Sequence, residues 1–235
     1  MAPAVAKFDD IPVVDLASCA DKECLETVTK ACEEFGCFRI INHGIAPDVF
    51  RNADLVCRDV FSLPTETKKK NVSPVPFASY VGGIPFVPFY ESLAIDDPDR
   101  EAIKDFSLLM WPHGNPNFCE IIEEYMNKMR VLSSRVHQII LESLGLSKYY
   151  ASHFDHGKAL FHMNMYDVPS ELSTESIGLT PHTDGNSVTI LYEDQEGGLQ
   201  VWNKAGNLIE VKAIPNTIVI FLGDCFKAWS NGRIE

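Results

Sequence analysis

The stretch Gly178-Leu179-Thr180-Pro181-His182-Thr183-Asp184, followed by the apolar run Val188-Thr189-Ile190-Leu191-Tyr192, decides how the chain reads. In an extended strand, residues i and i+2 point to the same side, so His182 and Asp184 are expected to present an imidazole and a carboxylate together, with Thr183 turned away. That pair is two-thirds of a 2-His-1-carboxylate face, a ligand set that leaves positions on a metal open for small molecules. A lone His-x-Asp also occurs at ordinary polar strand ends, so other motifs have to support the metal reading.

Around this stretch the period changes. Beyond residue 158 it is 2: Leu160–Tyr166, Ser187–Tyr192, Leu199–Asn203, Leu208–Val211 and Thr217–Leu222 are short strand candidates, separated by turns such as Glu196-Gly197-Gly198 and Pro215-Asn216. Before it the helical period dominates. Cys24, Leu25, Val28, Ala31, Cys32 and Phe35 predict a helix capped by Asp21 and closed by Gly36. A strand at Cys37–Ile41 and a helix at Pro47–Phe61 follow, with His43 in the turn between them as a hydrogen-bonded structural residue. The longest apolar stripe runs from Phe118 to Leu144, entered at Asn115-Pro116; its Met126 and Met129 are core positions, and His137 falls one place off the stripe. Phe106 to Trp111 is a further short apolar segment. Residues 71–90 show little periodicity but many Pro, Gly and aromatic residues, which predicts either a lid or pocket wall over a small apolar ligand, with Phe77, Tyr80, Phe86 and Phe89 as its candidates, or a loop packed on the core. Helices first and closely spaced strands afterwards predict an α+β chain: an N-terminal, mainly helical region over 1–157 and a double-sheet jelly roll or barrel over 158–235, within one domain.

Composition narrows the function. A formal charge of −13 opposes binding to nucleic acid or an anionic membrane, since both draw affinity from clustered Lys and Arg. No apolar run of eighteen residues is present, and the N-terminus lacks the apolar core of a secretory signal, so a soluble, cytoplasmic protein is expected. Seven cysteines, odd in number and without CxxC, read as reduced and mostly buried thiols.

Several motifs then line up. Ile11-Pro12-Val13-Val14-Asp15-Leu16 and Phe35-Gly36-Cys37-Phe38-Arg39-Ile40-Ile41-Asn42-His43-Gly44-Ile45 resemble the N-terminal signature of plant iron(II)/2-oxoglutarate-dependent dioxygenases. Asn164-x-Tyr166, His182-Thr183-Asp184, Gly197-Gly198-Leu199-Gln200-Val201 and Gly223-Asp224 through Trp229-Ser230-Asn231-Gly232-Arg233 match the second half of that family in order and spacing. The stretch Trp111-Pro112-His113-Gly114-Asn115 is similar to the specialised-metabolism branch that includes glucosinolate side-chain and deoxypodophyllotoxin synthase-like enzymes. The resemblance implies a distorted, cupin-like double-stranded β-helix with an N-terminal helical part. It further implies a monomer that oxidises a small organic substrate by hydroxylation, desaturation or ring closure, using Fe(II), O2 and 2-oxoglutarate, with ascorbate as an accessory reductant. It makes His182 and Asp184 iron ligands and puts Asn164 and Tyr166 near the co-substrate, where the Tyr166 hydroxyl can donate to a carboxylate.

One part of the pattern is missing. The family places a distal histidine roughly fifty to sixty residues after the His-x-Asp, and an Arg-x-Ser for the co-substrate beyond that, yet no histidine follows His182. The resemblance therefore implies a copy that lacks its last strands. Two further functions stay open: a catalytically silent product that binds a small molecule or partner without turnover, and an iron enzyme that oxidises its substrate without 2-oxoglutarate.

Overall fold

The computed structural model describes residues 10–19, 21–167, 177–194 and 196–234. In chain order the first elements are β1 (Val13–Asp15), α1 (Lys22–Glu34), β2 (Cys37–Ile41), α2 (Pro47–Phe61), α3 (Thr65–Lys68) and β3 (Tyr90–Asp96). Then come α4 (Arg100–Met110), α5 (Pro116–Ser143), α6 (Tyr150–His153), β4 (Leu160–Tyr166) and β5 (Val188–Leu191). The last are β6 (Gln200–Trp202), β7 (Leu208–Glu210), β8 (Ile218–Leu222) and α7 (Asp224–Trp229).

Local chemistry sets the helix starts. The Asp21 carboxylate accepts from the Cys24 N–H, Asp99 from the Ala102 N–H, and the Asn115 side chain from the Phe118 N–H, each satisfying an otherwise orphaned donor of a first turn. The Asp99 cap explains one departure from the sequence reading. The apolar segment from Phe106 is the second half of a helix that begins at Arg100, with Ile103, Phe106 and Met110 on its buried face. A second departure is at Cys19 and Cys24, expected as thiols, which form a disulfide with Cα atoms 5.2 Å apart. The turn that lets Asp21 cap α1 folds Cys19 back onto the first helical turn. Cys32, Cys37 and Cys57 remain thiols, and burial pushes each up to about 12.

The chain divides into two compact units, and their bounds run differently from the change of period near residue 157. One comprises Met1–Ile45, Met129–His156 and Thr183–Glu235; the other comprises Ala46–Lys128 and Gly157–His182. In the first, a four-stranded sheet has the order β1-β2-β8-β5, with β1 parallel to β2 and the other ladders antiparallel. The N-terminal strands thus pair directly with strands of the jelly-roll half. A second ladder, β6-β7, lies beside it in sequence; Ile209 and Val211 of that segment pack with Ile11, Cys37 and Val219. Arg39, 1% exposed, is held by Asp10, the Thr217 hydroxyl and the Lys212 carbonyl. His43 is the structural residue expected in its turn, its Nε2 donating to the Asn216 carbonyl at 3.2 Å and its Nδ1 accepting from the Ile45 N–H.

In the second unit β3 and β4 form an antiparallel ladder over their whole length. Strand β3 did not stand out in the sequence, because both faces of Leu93-Ala94-Ile95 are buried and no alternation marks it. Residues 71–89 are largely irregular but anchored: the buried Asn71 amide donates to the Ala94 carbonyl and accepts from the Ala94 N–H, and Val81 bridges Ser92. Among the described residues the strands form no closed barrel, and no helix is long and apolar enough to cross a membrane.

Asn71→Ala would leave both main-chain groups of buried Ala94 unpaired. It is expected to lower unfolding stability by about 2–6 kcal/mol in urea melts, at about 1–3 kcal/mol for each orphaned group. Burial also lowers the pKa of His43 and His137 below the ordinary 6.5. Between the lowered value and 6.5 the unfolded chain binds protons that the folded chain rejects, so this contribution is complete above about pH 6.5 and is lost as pH falls. The urea midpoint should drop from about pH 7 to about pH 5.5, and His137→Phe should reduce the drop.

Candidate active site

The loop that carries His182 and Asp184 is built from the sheet upward. His182 and Asp184 precede β5, which begins only at Val188, so strand alternation does not set their directions as the sequence suggested. Hydrogen bonds fix the segment instead. The Asp224 N–H donates to the Asp184 carbonyl at 2.8 Å, the Cys225 N–H to the Asn186 carbonyl at 3.1 Å, and the Gly223 N–H to the Ser187 carbonyl at 3.0 Å. The Thr183 hydroxyl adds a bond to the Asp224 carboxylate at 2.8 Å. Residues 183–187 are thereby stapled to the turn between β8 and α7.

That staple requires glycine at 223. A Cβ there would stand 2.7 Å from the Asp184 carbonyl oxygen and 2.6 Å from Asn186 Oδ1, and closer still to the Asn186 carbonyl oxygen. No L side chain fits without moving the loop.

The Asp184 carboxylate is oriented by the Thr189 hydroxyl, which donates to its Oδ2 and in turn accepts from Asn186 Nδ2 at 2.8 Å. Thr189 is fixed by its ladder position opposite Phe221. Hydrogen bonds of this kind orient a ligating carboxylate. His182 is exposed, and its Nδ1 lies 2.9 Å from the Thr180 carbonyl oxygen. A carbonyl only accepts, so Nδ1 donates, and in the neutral tautomer this leaves the lone pair on Nε2, the form a metal takes. The boundary between the two compact units falls between His182 and Thr183.

Asn164 and Tyr166 lie on β4, whose exposure alternates: His162, Asn164 and Tyr166 share the open face, and Met163 faces the core. The Tyr90 hydroxyl donates to Asn164 Oδ1 at 2.8 Å, leaving the Asn164 amide as a donor. Tyr166 is 44% exposed, and its ring leans on Tyr90 with centroids 5.3 Å apart. Desolvation, and next the neighbouring Tyr90 phenol, push the Tyr166 hydroxyl up to about 12, so it stays protonated and able to donate.

The aromatic candidates of residues 71–90 separate by environment. Phe77 and Phe86 are 80% and 70% exposed, Phe89 is half-buried, and Tyr80 donates to Glu91 Oε1 at 2.6 Å. Glu91 in turn pairs with the buried Lys68, whose ammonium lies 5.8 Å from the Tyr80 ring centroid, so Tyr80 ties the loop to β3. Two surface hollows, of about 850 Å³ beside Arg100, Leu108 and Lys128 and about 200 Å³ beside Asp15 and Cys24, contain none of these candidates.

Gly223, Thr189 and Asn186 were not singled out by sequence reasoning. A signal existed for Thr189, the one hydroxyl in the run Val188–Leu191, and Gly223-Asp224 was visible as a motif without its steric reason. For iron, the donor types fit: a neutral imidazole and an oriented carboxylate. Among the described residues no group of three or more His, Cys, Asp or Glu stands ready to hold a metal, so His182 and Asp184 would be two of the ligands.

Comparison with known proteins gives this geometry its family. Residues 11–87 match the model of the non-haem dioxygenase N-terminal region, described from morphine synthesis, and residues 142–235 match that of the 2OG-Fe(II) oxygenase superfamily. The chain is 33% identical over 214 residues to the probable 2-oxoglutarate-dependent dioxygenase AOP1.2 of Arabidopsis thaliana, covering 88% of this chain and 65% of that protein. It is 32% identical to AOP1 of the same plant, covering 96% of this chain and 73% of the relative. The structure of dioxygenase for auxin oxidation 1 from Arabidopsis thaliana, in complex with 2-oxoglutarate, superposes with a TM-score of 0.87 at 29% identity, covering 96% of this chain and 84% of that one. The fold is that of the 2-oxoglutarate oxygenases, a cupin-like jelly roll with an N-terminal helical part. The chain belongs to the plant Fe(II)/2-oxoglutarate-dependent dioxygenases, whose cofactor is Fe(II) and whose co-substrate is 2-oxoglutarate.

Gly223→Ala is expected to cost about 1–3 kcal/mol, the usual penalty of forcing atoms into a packed site. Hydrogen exchange should show the amides of residues 223–225, bonded to the loop's carbonyls, loosening before the rest of the sheet. An alanine variant as stable as the parent would contradict the close approach.

Proposed function

We propose that this chain binds Fe(II) through His182 and Asp184 and serves the oxidation of a small plant metabolite by hydroxylation, desaturation or ring closure. The observation that carries the reading is the His182-x-Asp184 loop, with its carboxylate oriented by Thr189 and its backbone fixed on Gly223, inside the segment that matches the oxygenase superfamily. Bound iron would supply the redox chemistry that activates O2. The chain's residues supply the rest. His182 offers a neutral imidazole nitrogen, and Thr189 holds Asp184 in one orientation. Tyr166 keeps its proton and can donate to a co-substrate carboxylate, and the Asn164 amide offers a second donor on the same strand face. On this reading Phe77, Phe86 and Phe89 of the aromatic loop would meet an apolar substrate. A charge of −13 favours a small molecule as partner over nucleic acid or an anionic membrane.

A second reading is favoured by one observation: among the described residues no group of three or more His, Cys, Asp or Glu could hold a metal, and two donors hold one more weakly than three. On this reading residues 1–235 bind metal and co-substrate with little or no turnover.

Titration with Mn(II) under anaerobic conditions tests the ligands. The parent chain should bind, and His182→Ala or Asp184→Ala should weaken binding by about tenfold or more. Unchanged affinity in both variants would remove the assignment. Consumption of 2-oxoglutarate by the Fe(II)-loaded chain at rates of about 1 s⁻¹ or faster, the range typical of enzymes, would remove the silent reading.

A further inference from the structure

His137, on α5, lies outside every motif of the family signature, yet it touches the ligand loop's far end. Its Nδ1 is 2.8 Å from the Ser133 carbonyl oxygen one turn earlier, so Nδ1 must donate and Nε2 must accept. Nε2 lies 3.0 Å from the Ser187 hydroxyl, which therefore donates to it. The ring is 8% exposed and is flanked by Phe154 and Phe226, with centroids 5.2 Å and 6.2 Å away. Ser187 closes the segment that starts at Asp184, and its carbonyl accepts from Gly223.

A polar ring in this setting is not what stability alone would select. A phenyl group has nearly the same shape, would complete the stack with Phe154 and Phe226, and would leave no buried polar atom; replacing both members of such a pair by apolar groups is often close to neutral. What a phenyl cannot do is accept the Ser187 proton. The main-chain bonds from Gly223, Asp224 and Cys225 fix the backbone of residues 184–187 from one side, and the His137–Ser187 bond is the side-chain tie from α5.

We propose that His137 is a positioning residue: through Ser187 it holds the loop that carries Asp184 in the conformation competent to bind metal. The metal consequence rests on the reading of Asp184 as a ligand; the hold on the loop does not. Burial keeps the imidazole in the neutral form this arrangement uses.

The test compares His137→Phe, which keeps the aromatic stack, His137→Gln, which restores an acceptor and a donor, and Ser187→Ala, which removes only the hydroxyl. Two measurements are made on the full chain: amide hydrogen exchange without metal, and Mn(II) affinity. With thermal midpoints close to the parent's, His137→Phe and Ser187→Ala should accelerate exchange of the Gly223, Asp224 and Cys225 amides, which the loop's carbonyls hold, and weaken Mn(II) binding by about tenfold or more, the usual effect of removing support behind a ligand. The double variant should lose no more than either single one, and His137→Gln should recover most of the loss. Exchange of the Gly223, Asp224 and Cys225 amides unchanged in both His137→Phe and Ser187→Ala would overturn the proposal. So would equal loosening of the whole sheet in Ser187→Ala, or a Gln variant as impaired as Phe. If the parent itself binds no Mn(II), the iron reading fails, while the exchange data still decide whether His137 holds the loop.

Discussion

The contact on which the site depends is the approach of two main-chain segments at Gly223. The carbonyls of Asp184 and Asn186 come so near its Cα that no side chain fits, and from that distance three consecutive N–H groups, those of Gly223, Asp224 and Cys225, reach the carbonyls of Ser187, Asp184 and Asn186. A segment with no strand partner of its own thus satisfies three of its backbone carbonyls on the turn from β8 into α7. The β2-β8 and β8-β5 ladders matter for the site because they hold β8, and so Gly223, in place.

Around that contact the polar groups act in relays. Asn186 donates to Thr189, Thr189 to Asp184, Ser187 to His137, and His137 to the Ser133 carbonyl. Each hydroxyl is fixed in its role because a neighbour can only accept or only donate. The result is a carboxylate with a defined direction on a loop that regular secondary structure does not constrain. On β4 the same logic applies differently: the strand's alternation turns Asn164 and Tyr166 to one face, and Tyr90 and desolvation keep both able to donate.

The family relationship fits this division of labour. The matched regions cover residues 11–87 and 142–235, which include the strands of the main sheet, the ligand loop and the Gly223 turn. The aromatic loop is tied by Asn71 and by the Tyr80–Glu91–Lys68 cluster rather than by a ladder, leaving Phe77 and Phe86 outward.

The sequence by itself determined the elements whose pattern is local. The α1 and α2 helices, the α5 stripe and all five strands of the second half follow from period, caps and turn residues, and the ordered motifs pointed to the family and to His182, Asp184, Asn164 and Tyr166 as candidates. Three things were decided only by the tertiary structure. Strand β3 is hidden in sequence because its centre is buried on both faces. The Cys19–Cys24 bond depends on how the Asp21 turn folds. The direction of Asp184 is set by Thr189, Gly223 and the turn into α7, partners brought together by strand pairing across tens of residues. Periodicity reports which face of an element meets the core, but it carries no information about which distant backbone will press against a loop, and at Gly223 that approach shapes the site.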